Sequence, residues 1–466
     1  MISTINPATG KQLQTFDTHS YFQIDGILTA AVDAQKAWRL VSVEDRVQIL
    51  RNTAKILREN VNEYAHLITL EMGKPISEAR AEIEKSAVAA DFYAQNAVRF
   101  LDFESIDADV KESGVVYEPL GVVLAIMPWN YPFWQFFRFA LPALVAGNGA
   151  ILKHANNVPR SALAVQDILD KAGLAPGLCA TVLIEPEKVA AIIADDRIAA
   201  VALTGSTQVG AIVASQAGAA LKKQVLELGG SDPFIVLSDA DIKDAARTAV
   251  RARFTNAGQA CINAKRFIVD EEIADEFVAE FVIQTRELIL GDPFDPATDM
   301  GPMARENLRA TLHDQVQRTL EAGGRLLLGG ELPEGLGYFY PPTIIDRVVP
   351  GHAAFDEETF GPVAAITRVS STEEAIALAN QTEFGLAASL WTRDTDRAKA
   401  VVRRLDAGAV FVNGMVVSDP RLPFGGIKKS GYGRELGRQG IREFTNMKTV
   451  WIGPDTTGTK GKTWAQ

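Results

Sequence analysis

Cysteine is scarce in this chain. Of 466 residues only Cys179 and Cys261 are cysteines, which excludes a disulfide-built scaffold at this length. Histidine is scarce too. The five, at positions 19, 66, 154, 313 and 352, show no ligand-type spacing, so no Cys/His metal site is expected. There is no excess of positive charge. Lys and Arg number 47 against 58 Asp and Glu, for a formal charge of −11. An acidic surface repels phosphate backbones, so no nucleic-acid partner is expected. Long apolar runs are missing as well. The most apolar stretch, 121–147, contains Asn130, Gln135 and Arg138 and prolines at 128, 132 and 142, so it does not read as a membrane span. The first residues carry neither a basic region nor an apolar one, and a cytoplasmic location is expected.

What remains is an ordinary globular composition, 47% hydrophobic and 23% charged, with unremarkable Gly and Pro. The length suggests two or three domains. Residues 27–66 and 76–100 read as long helices, with apolar residues recurring at helical spacing. From 114 the period changes. Short apolar strands (122–126, 150–153, 180–184, 198–203, 225–228) alternate with helical stretches (159–172, 187–195, 208–218). That alternation predicts an α/β fold, a parallel sheet with helices on both faces. A second alternating region runs from Phe234 to about Val412, and Phe444–Trp451 reads as an exposed strand.

Four segments carry chemistry-bearing residues. Cys261 follows Gly258-Gln259-Ala260, a pattern that predicts a loop feeding a helix. There the helix dipole and free amides would stabilise a thiolate, and a thiolate is a nucleophile. A small buried hydrophobe is the competing reading. Glu227 ends an apolar strand, where burial would raise its pKa and make it a usable general base. A solvated strand end is the alternative. Gly205-Ser206-Thr207-Gln208-Val209-Gly210 follows a strand and opens a helix, a place for a pyrophosphate, although the spacing is not the usual dinucleotide fingerprint. Pro128-Trp129-Asn130-Tyr131-Pro132 lies at the carboxyl end of a strand, where doubly wound sheets place ligands. The amide of Asn130 could hold an oxyanion.

Together these segments resemble the NAD(P)-dependent aldehyde dehydrogenase superfamily. The motifs are Leu226-Glu227-Leu228-Gly229-Gly230, the Gly258–Cys261 segment, Pro128-Trp129-Asn130 and Gly205-Ser206-Thr207. Glu357-Glu358-Thr359-Phe360-Gly361-Pro362 and Pro423-Phe424-Gly425-Gly426-Ile427-Lys428-Lys429-Ser430-Gly431 complete the set. The resemblance runs from about Ile5 to Trp451. Leu152-Lys153-His154-Ala155 and Ser418-Asp419-Pro420-Arg421-Leu422-Pro423 add a likeness to bacterial succinate-semialdehyde dehydrogenases.

The resemblance implies a Rossmann-type cofactor domain (1–110 and 129–232) and an α/β catalytic domain (233–412). It also implies a small β oligomerisation arm (111–128 and 436–456), a substrate-tunnel segment (413–435) and a disordered tail (457–466). It implies Cys261 as nucleophile, Glu227 as the base for hydrolysis and Asn130 as oxyanion donor. Cofactor contacts would come from Trp129, Lys153, Asn156, Gly205, Ser206, Gly210, Leu228, Glu358 and Phe360. Many NAD-preferring members carry a glutamate at the position of Asn156. A neutral amide there would not repel a 2′-phosphate, so NADP is expected to be tolerated or preferred, with NAD also open. Arg138, about two turns into the helix after Asn130, would face the substrate tunnel unpaired and bind the carboxylate of an aldehyde substrate, with Ser418 opposite; a salt bridge to a structural carboxylate is the competing reading. The assembly would be a homodimer or homotetramer. A cofactor-independent cysteine hydrolase or acyltransferase is the competing enzyme class, and a broad-specificity dehydrogenase the competing substrate reading.

Overall fold

The computed structural model describes residues 1–108 and 110–453. The tail expected to be disordered, 457–466, lies outside the described residues. The chain opens with a hairpin of β1 (Ile2–Ile5) and β2 (Gln12–Phe16). Four helices follow: α1 (Tyr21–Trp38), α2 (Val43–Glu59), α3 (Val61–Met72) and α4 (Ile76–Leu101). The single helix expected over 27–66 is therefore three. Ser42 caps the start of α2 by accepting the Asp45 N–H, and Asn60 ends it; such local caps compete with helix continuation.

Strands β3 (Glu104–Ser105) and β4 (Glu112–Pro119) lead into the first parallel region. It comprises β5 (Val122–Met127), α5 (Trp134–Val145), β6 (Gly149–His154), α6 (Pro159–Lys171), β7 (Cys179–Thr181), α7 (Val189–Ala194), β8 (Ile198–Thr204), α8 (Thr207–Ala219) and β9 (Lys223–Glu227). The second region comprises β10 (Asp232–Val236), α9 (Ile242–Phe254), β11 (Ala264–Asp270), α10 (Glu271–Thr285), α11 (Glu306–Glu321), β12 (Arg325–Leu328) and β13 (Thr343–Asp346). It continues with α12 (Ala353–Asp356), β14 (Val363–Val369), α13 (Thr372–Asn380), β15 (Ala387–Trp391), α14 (Thr395–Val402) and β16 (Ala409–Val412). The chain ends with β17 (Gly431–Tyr432), α15 (Gly437–Glu443) and β18 (Thr445–Ile452).

Two mixed sheets result, with strand orders β17-β9-β8-β5-β6-β7 and β12-β13-β14-β11-β10-β15-β16. In each, only the strand at one edge (β17, β12) runs antiparallel to its neighbour. Both faces of the central strands are covered, which is why Val122-Val123-Leu124-Ala125 is buried without alternation. A third sheet pairs β18 with β4 over eight residue pairs, Thr445 opposite Pro119 to Ile452 opposite Glu112. In the first sheet β6 and β7 extend to one side of β5, while β8 and β9 return on the other. The carboxyl ends of β5 and β8 thus flank a topological switch point, the place where such sheets bind ligands.

Candidate active site

The loops leaving β5 and β8 meet the segment before β11 around a cavity of about 200 Å³. Of the residues singled out from sequence, Trp129, Asn130, Gly205, Ser206, Leu228, Cys261, Glu358 and Phe360 line it. Gln135, Thr204 and Leu308 line it too and were not anticipated.

Cys261 sits in a turn that runs directly into β11. The helix expected to begin there does not exist, so no helix dipole serves this thiol. Enclosure in the protein pushes the thiol up to about 12, opposed by the positive charges of Arg138 and Lys265. The turn is held against its own preference. Asn256, Ala257 and Gly258 all have positive φ (56°, 51° and 69°), which costs free energy at the two non-glycine positions. Distant groups enforce it. Glu78 Oε2 on α4 accepts the Asn256 N–H at 2.8 Å. Asn256 Nδ2 donates to Asn130 O at 3.0 Å and Gln259 O at 3.1 Å. Asn130 Nδ2 donates to Gln259 O at 3.0 Å. The buried Arg253 guanidinium donates to Gly258 O (2.9 Å), Ala264 O (2.8 Å), Thr359 O (3.2 Å) and Gly361 O.

Glu227 ends β9 and is 1% exposed. Neither carboxyl oxygen has a hydrogen-bond partner among the described residues. Burial raises its pKa to about 8, with Arg138 pulling it down and Glu435 pushing it up. A Cβ on Gly425, whose φ is +152°, would come 2.7 Å from Glu227 Oε1, so that glycine makes room for the carboxyl.

On the opposite wall Ser206 caps α8 by accepting the Val209 N–H at 3.4 Å. Trp129 and Phe360 meet edge to face, ring centres 5.9 Å apart. Glu358 accepts the Gly230 N–H at 3.0 Å and lies 3.7 Å from Lys265 Nζ. A Cβ on Gly229 would collide with its carboxylate. Gly210 does not line the cavity; its missing side chain lets α8 close onto Leu228. Lys153 and Asn156 also lie outside the cavity. Lys153 Nζ donates to Asn156 Oδ1 at 3.0 Å, and Asn156 Nδ2 donates to Glu185 Oε2 at 2.8 Å. Asn156 lines a neighbouring pocket with Arg305 and Tyr338.

Arg138 requires a correction. It was expected to face a substrate unpaired; instead it forms a buried ion pair with Glu435 and stacks over the Phe424 ring at 4.8 Å. Glu435 is nearly three hundred residues away in sequence, and nothing local announced it. A second cation beside Arg138 is Lys85 on α4, which has no carboxylate within 4 Å among the described residues. Its Nζ donates to Ser418 Oγ at 2.6 Å and lies 4.3 Å from the centre of the Trp134 ring. Desolvation first, then the nearby Arg138 charge, bring it down to about 8, and Cys261 is among the groups whose charge acts on it. Lys85 is hard to single out from sequence because the stretch 76–100 reads only as a long helix rich in Ala, Glu and Arg. The available signal was the spacing of Glu78, Glu82 and Lys85, which share a face with the buried Ser86 and Ala89.

The chain matches the profile of the aldehyde dehydrogenase family over residues 1–450. It is 48% identical over 448 residues to the Escherichia coli succinate semialdehyde dehydrogenase Sad, named for NAD(P)+, covering 96% of this chain and 97% of that one. It is 47% identical over 464 residues to the NADP(+)-named succinate-semialdehyde dehydrogenase of Mycobacterium avium, covering 99% and 98%. The crystal structure of succinic semialdehyde dehydrogenase from Streptococcus pyogenes in complex with NADP+ superposes with a TM-score of 0.95 at 38% identity, covering 97% of this chain and all of that one.

Proposed function

The chain belongs to the aldehyde dehydrogenase family, and from that premise we propose that it oxidises succinate semialdehyde to succinate, with NADP preferred and NAD accepted. The observation that carries the substrate is Lys85. Its ammonium has no carboxylate partner, shares Ser418 and sits within electrostatic reach of Cys261. A substrate carboxylate supplies the missing counter-charge. Arg138, committed to Glu435, adds positive field behind it without a direct bond.

The cavity fits a nicotinamide cofactor. It combines an aromatic pair (Trp129, Phe360), a carboxylate for ribose hydroxyls (Glu358) and the N-terminus of α8 for a pyrophosphate. When bound, the cofactor accepts the hydride lost by the substrate's carbonyl carbon. The chain's own residues do the rest. The Cys261 thiolate adds to the aldehyde carbon. The second N–H of the Asn130 amide, beyond the one given to Gln259 O, and the Cys261 backbone amide hold the oxyanion. Loss of hydride leaves a thioester on Cys261. Glu227, with both oxygens unpartnered, takes a proton from the attacking water, and the thiolate leaves as the acid forms. Sulfur serves both steps because a thiolate adds and departs readily.

The division into cofactor domain, catalytic domain and arm is supported by the separate six- and seven-stranded sheets and by the β4–β18 pairing, with one boundary corrected: β5 (Val122–Met127), expected in the arm, pairs with β6 and β8 inside the six-stranded sheet, so of 111–128 only β4 goes with β18. Strand β18 is an edge whose Met447 and Trp451 are 68% and 61% exposed. That exposure supports a homo-oligomer that covers this edge, and a cytoplasmic location is part of the same reading.

The test is a comparison of succinate semialdehyde with butyraldehyde, its uncharged counterpart. A charge-assisted hydrogen bond of about 1.5–3 kcal/mol predicts a specificity constant roughly 10- to 100-fold higher for the anion. Lys85→Met should erase most of that gap. Equal constants in the unaltered enzyme would overturn the substrate assignment; a gap that survives Lys85→Met would overturn the residue assignment alone.

A further inference from the structure

Lys265 is completely buried at the start of β11 and has no part in the reaction just described. Its ammonium donates to the carbonyls of Ala260 (3.2 Å), Cys261 (2.7 Å) and Asn263 (3.3 Å), so the nucleophile's turn closes around it. Its carboxylate neighbour is Glu358, with Oε1 at 3.7 Å, too far for a hydrogen bond. Glu358 is engaged instead by the Gly230 N–H. The buried lysines elsewhere differ: Lys74 is paired directly with Glu82, and Lys153 donates to the Asn156 amide. Lys265 is thus an ammonium placed under a thiol-bearing turn, hydrogen-bonded to carbonyls and held to its carboxylate only by a long ion pair with Glu358. The other buried cations near this turn are spent on backbone carbonyls: Arg253 on four that brace Gly258 against the 359–361 loop, and Arg266 on those of Ser231, Leu378 and Ala379.

We propose that Lys265 is a positioning residue for Cys261: it orders the turn through the carbonyl of Cys261 and supplies the positive charge a helix N-terminus would otherwise provide, and Glu358 competes for that charge. This rests on the reading that Cys261 is the nucleophile and Glu358 the cofactor's ribose ligand, and it adds that the two are coupled through one ammonium. The groups that face the thiol are Lys85 from α4, Tyr131 from the loop after β5, Arg138 from α5, Glu227 from β9, Asp232 from β10 and Lys265 itself. Those that face Lys265 are Glu358, Asp232, Arg253 and Cys261. Among them Lys265 alone touches both the Cys261 backbone and Glu358. Arg138 is held by Glu435, and Asp232 Oδ1 accepts the Ala387 N–H. The direction of Lys265's action on the thiol is downward, against burial.

The experiment is alkylation of Cys261 by iodoacetamide across pH, on the enzyme without cofactor, with NADP affinity measured separately by fluorescence quenching. In Lys265→Met the alkylation midpoint should move up and the rate at pH 8 fall roughly three- to tenfold, the size expected for removing one nearby charge at a partly screened site. Lys265→Arg should restore most of the rate. Glu358→Gln should speed alkylation by freeing the ammonium, and this gain should vanish when combined with Lys265→Met. A folded Lys265→Met with the parent's profile, or a Glu358→Gln gain that persists without Lys265, overturns the proposal. Should Lys265→Met fail to fold, Glu358→Gln decides: an unchanged alkylation rate overturns the coupling, a faster one supports it. An unchanged NADP affinity in Glu358→Gln, with the alkylation pattern intact, would reject the ribose reading and leave Lys265's role standing.

Discussion

The two walls of the cavity are built differently. The wall formed by β8, Gly205-Ser206 and α8 is assembled from consecutive residues, and its capping bond spans three positions. The wall carrying Cys261 is assembled from afar. Glu78 reaches across 178 positions to Asn256, and the Asn130 amide across 129 to Gln259. The first wall is stable in its shape because a strand, a turn and a helix N-terminus each favour it locally. The second is strained at Asn256 and Ala257 and keeps its shape only while its distant partners hold it. A site that must bind a cofactor repeatedly and present a thiol at one angle separates the two tasks this way.

The largest expected effect tests that separation directly. Cys261→Ala should abolish turnover, by more than about a hundredfold, while NADP affinity stays within about twofold of the parent. A lost affinity would mean the walls are not independent. Glu227→Gln should come next. Hydride loss from the substrate should proceed and hydrolysis stall, giving a burst of reduced cofactor of about one equivalent per site before a slow phase. A missing burst would place Glu227 earlier, as the base for the thiol. Glu78→Ala should release the strained turn and lower kcat/KM for the aldehyde by roughly 10- to 100-fold, again with NADP affinity kept. Parent-like kcat/KM in Glu78→Ala would show that the turn holds itself.

The same contrast explains what could be read from the sequence. The alternation of apolar strands with helices gave both parallel regions, because buried parallel strands are continuous apolar runs. Gly205-Ser206-Thr207 was legible because a strand, a cap and a helix are local. The misreadings are non-local or depend on caps. Residues 27–66 looked like one helix because apolar spacing continues through Ser42 and Asn60. Cys261 looked like a helix start because Gly258 and small residues precede one often enough; the apolar run Phe267-Ile268-Val269 instead makes β11 begin at once. Arg138 looked like a free cation because its partner Glu435 belongs to the chain's final segment.

Two cations on neighbouring helices refine the comparison. Arg138 is a member of a buried pair, and removing one partner of such a pair costs about 3–5 kcal/mol. Lys85 has no ion partner to strand. Arg138→Met should therefore shift the denaturation midpoint clearly, and Lys85→Met should leave it nearly unmoved. Around pH 8, below the Cys261 thiol that burial pushes up to about 12, activity should follow two groups of opposite sign. Glu227, raised to about 8, is protonated at lower pH and unable to accept a proton, so hydrolysis speeds up as pH rises through that value. Lys85, lowered to about 8, loses its charge above that value, so kcat/KM for the anionic aldehyde falls again at high pH. Butyraldehyde should show the rise and not the fall. A falling limb shared by both aldehydes would remove Lys85 from substrate recognition.

The smallest effect belongs to a bridge outside the cavity, beyond the end of β6. Asn156 bridges Lys153 and Glu185, at 3.0 and 2.8 Å. A 2′-phosphate near Asn156 would meet an attractive ammonium and a repulsive carboxylate together, so Glu185 opposes the NADP preference that a neutral Asn156 implies. Burial already works against the Lys153 charge, while Glu185 and Glu187 support it. Replacing Glu185 by Gln keeps a hydrogen-bonding partner for Asn156 and removes only the negative charge. Glu185 is half-buried, and pairs with this much solvent contact contribute about 0.2–1 kcal/mol. The NADP-to-NAD ratio of kcat/KM should therefore rise by roughly two- to fivefold in Glu185→Gln, with no change in the aldehyde preference set at Lys85. A ratio that falls would mean that Glu185 serves the ammonium more than it opposes the phosphate, and that Lys153 depends on it to stay charged.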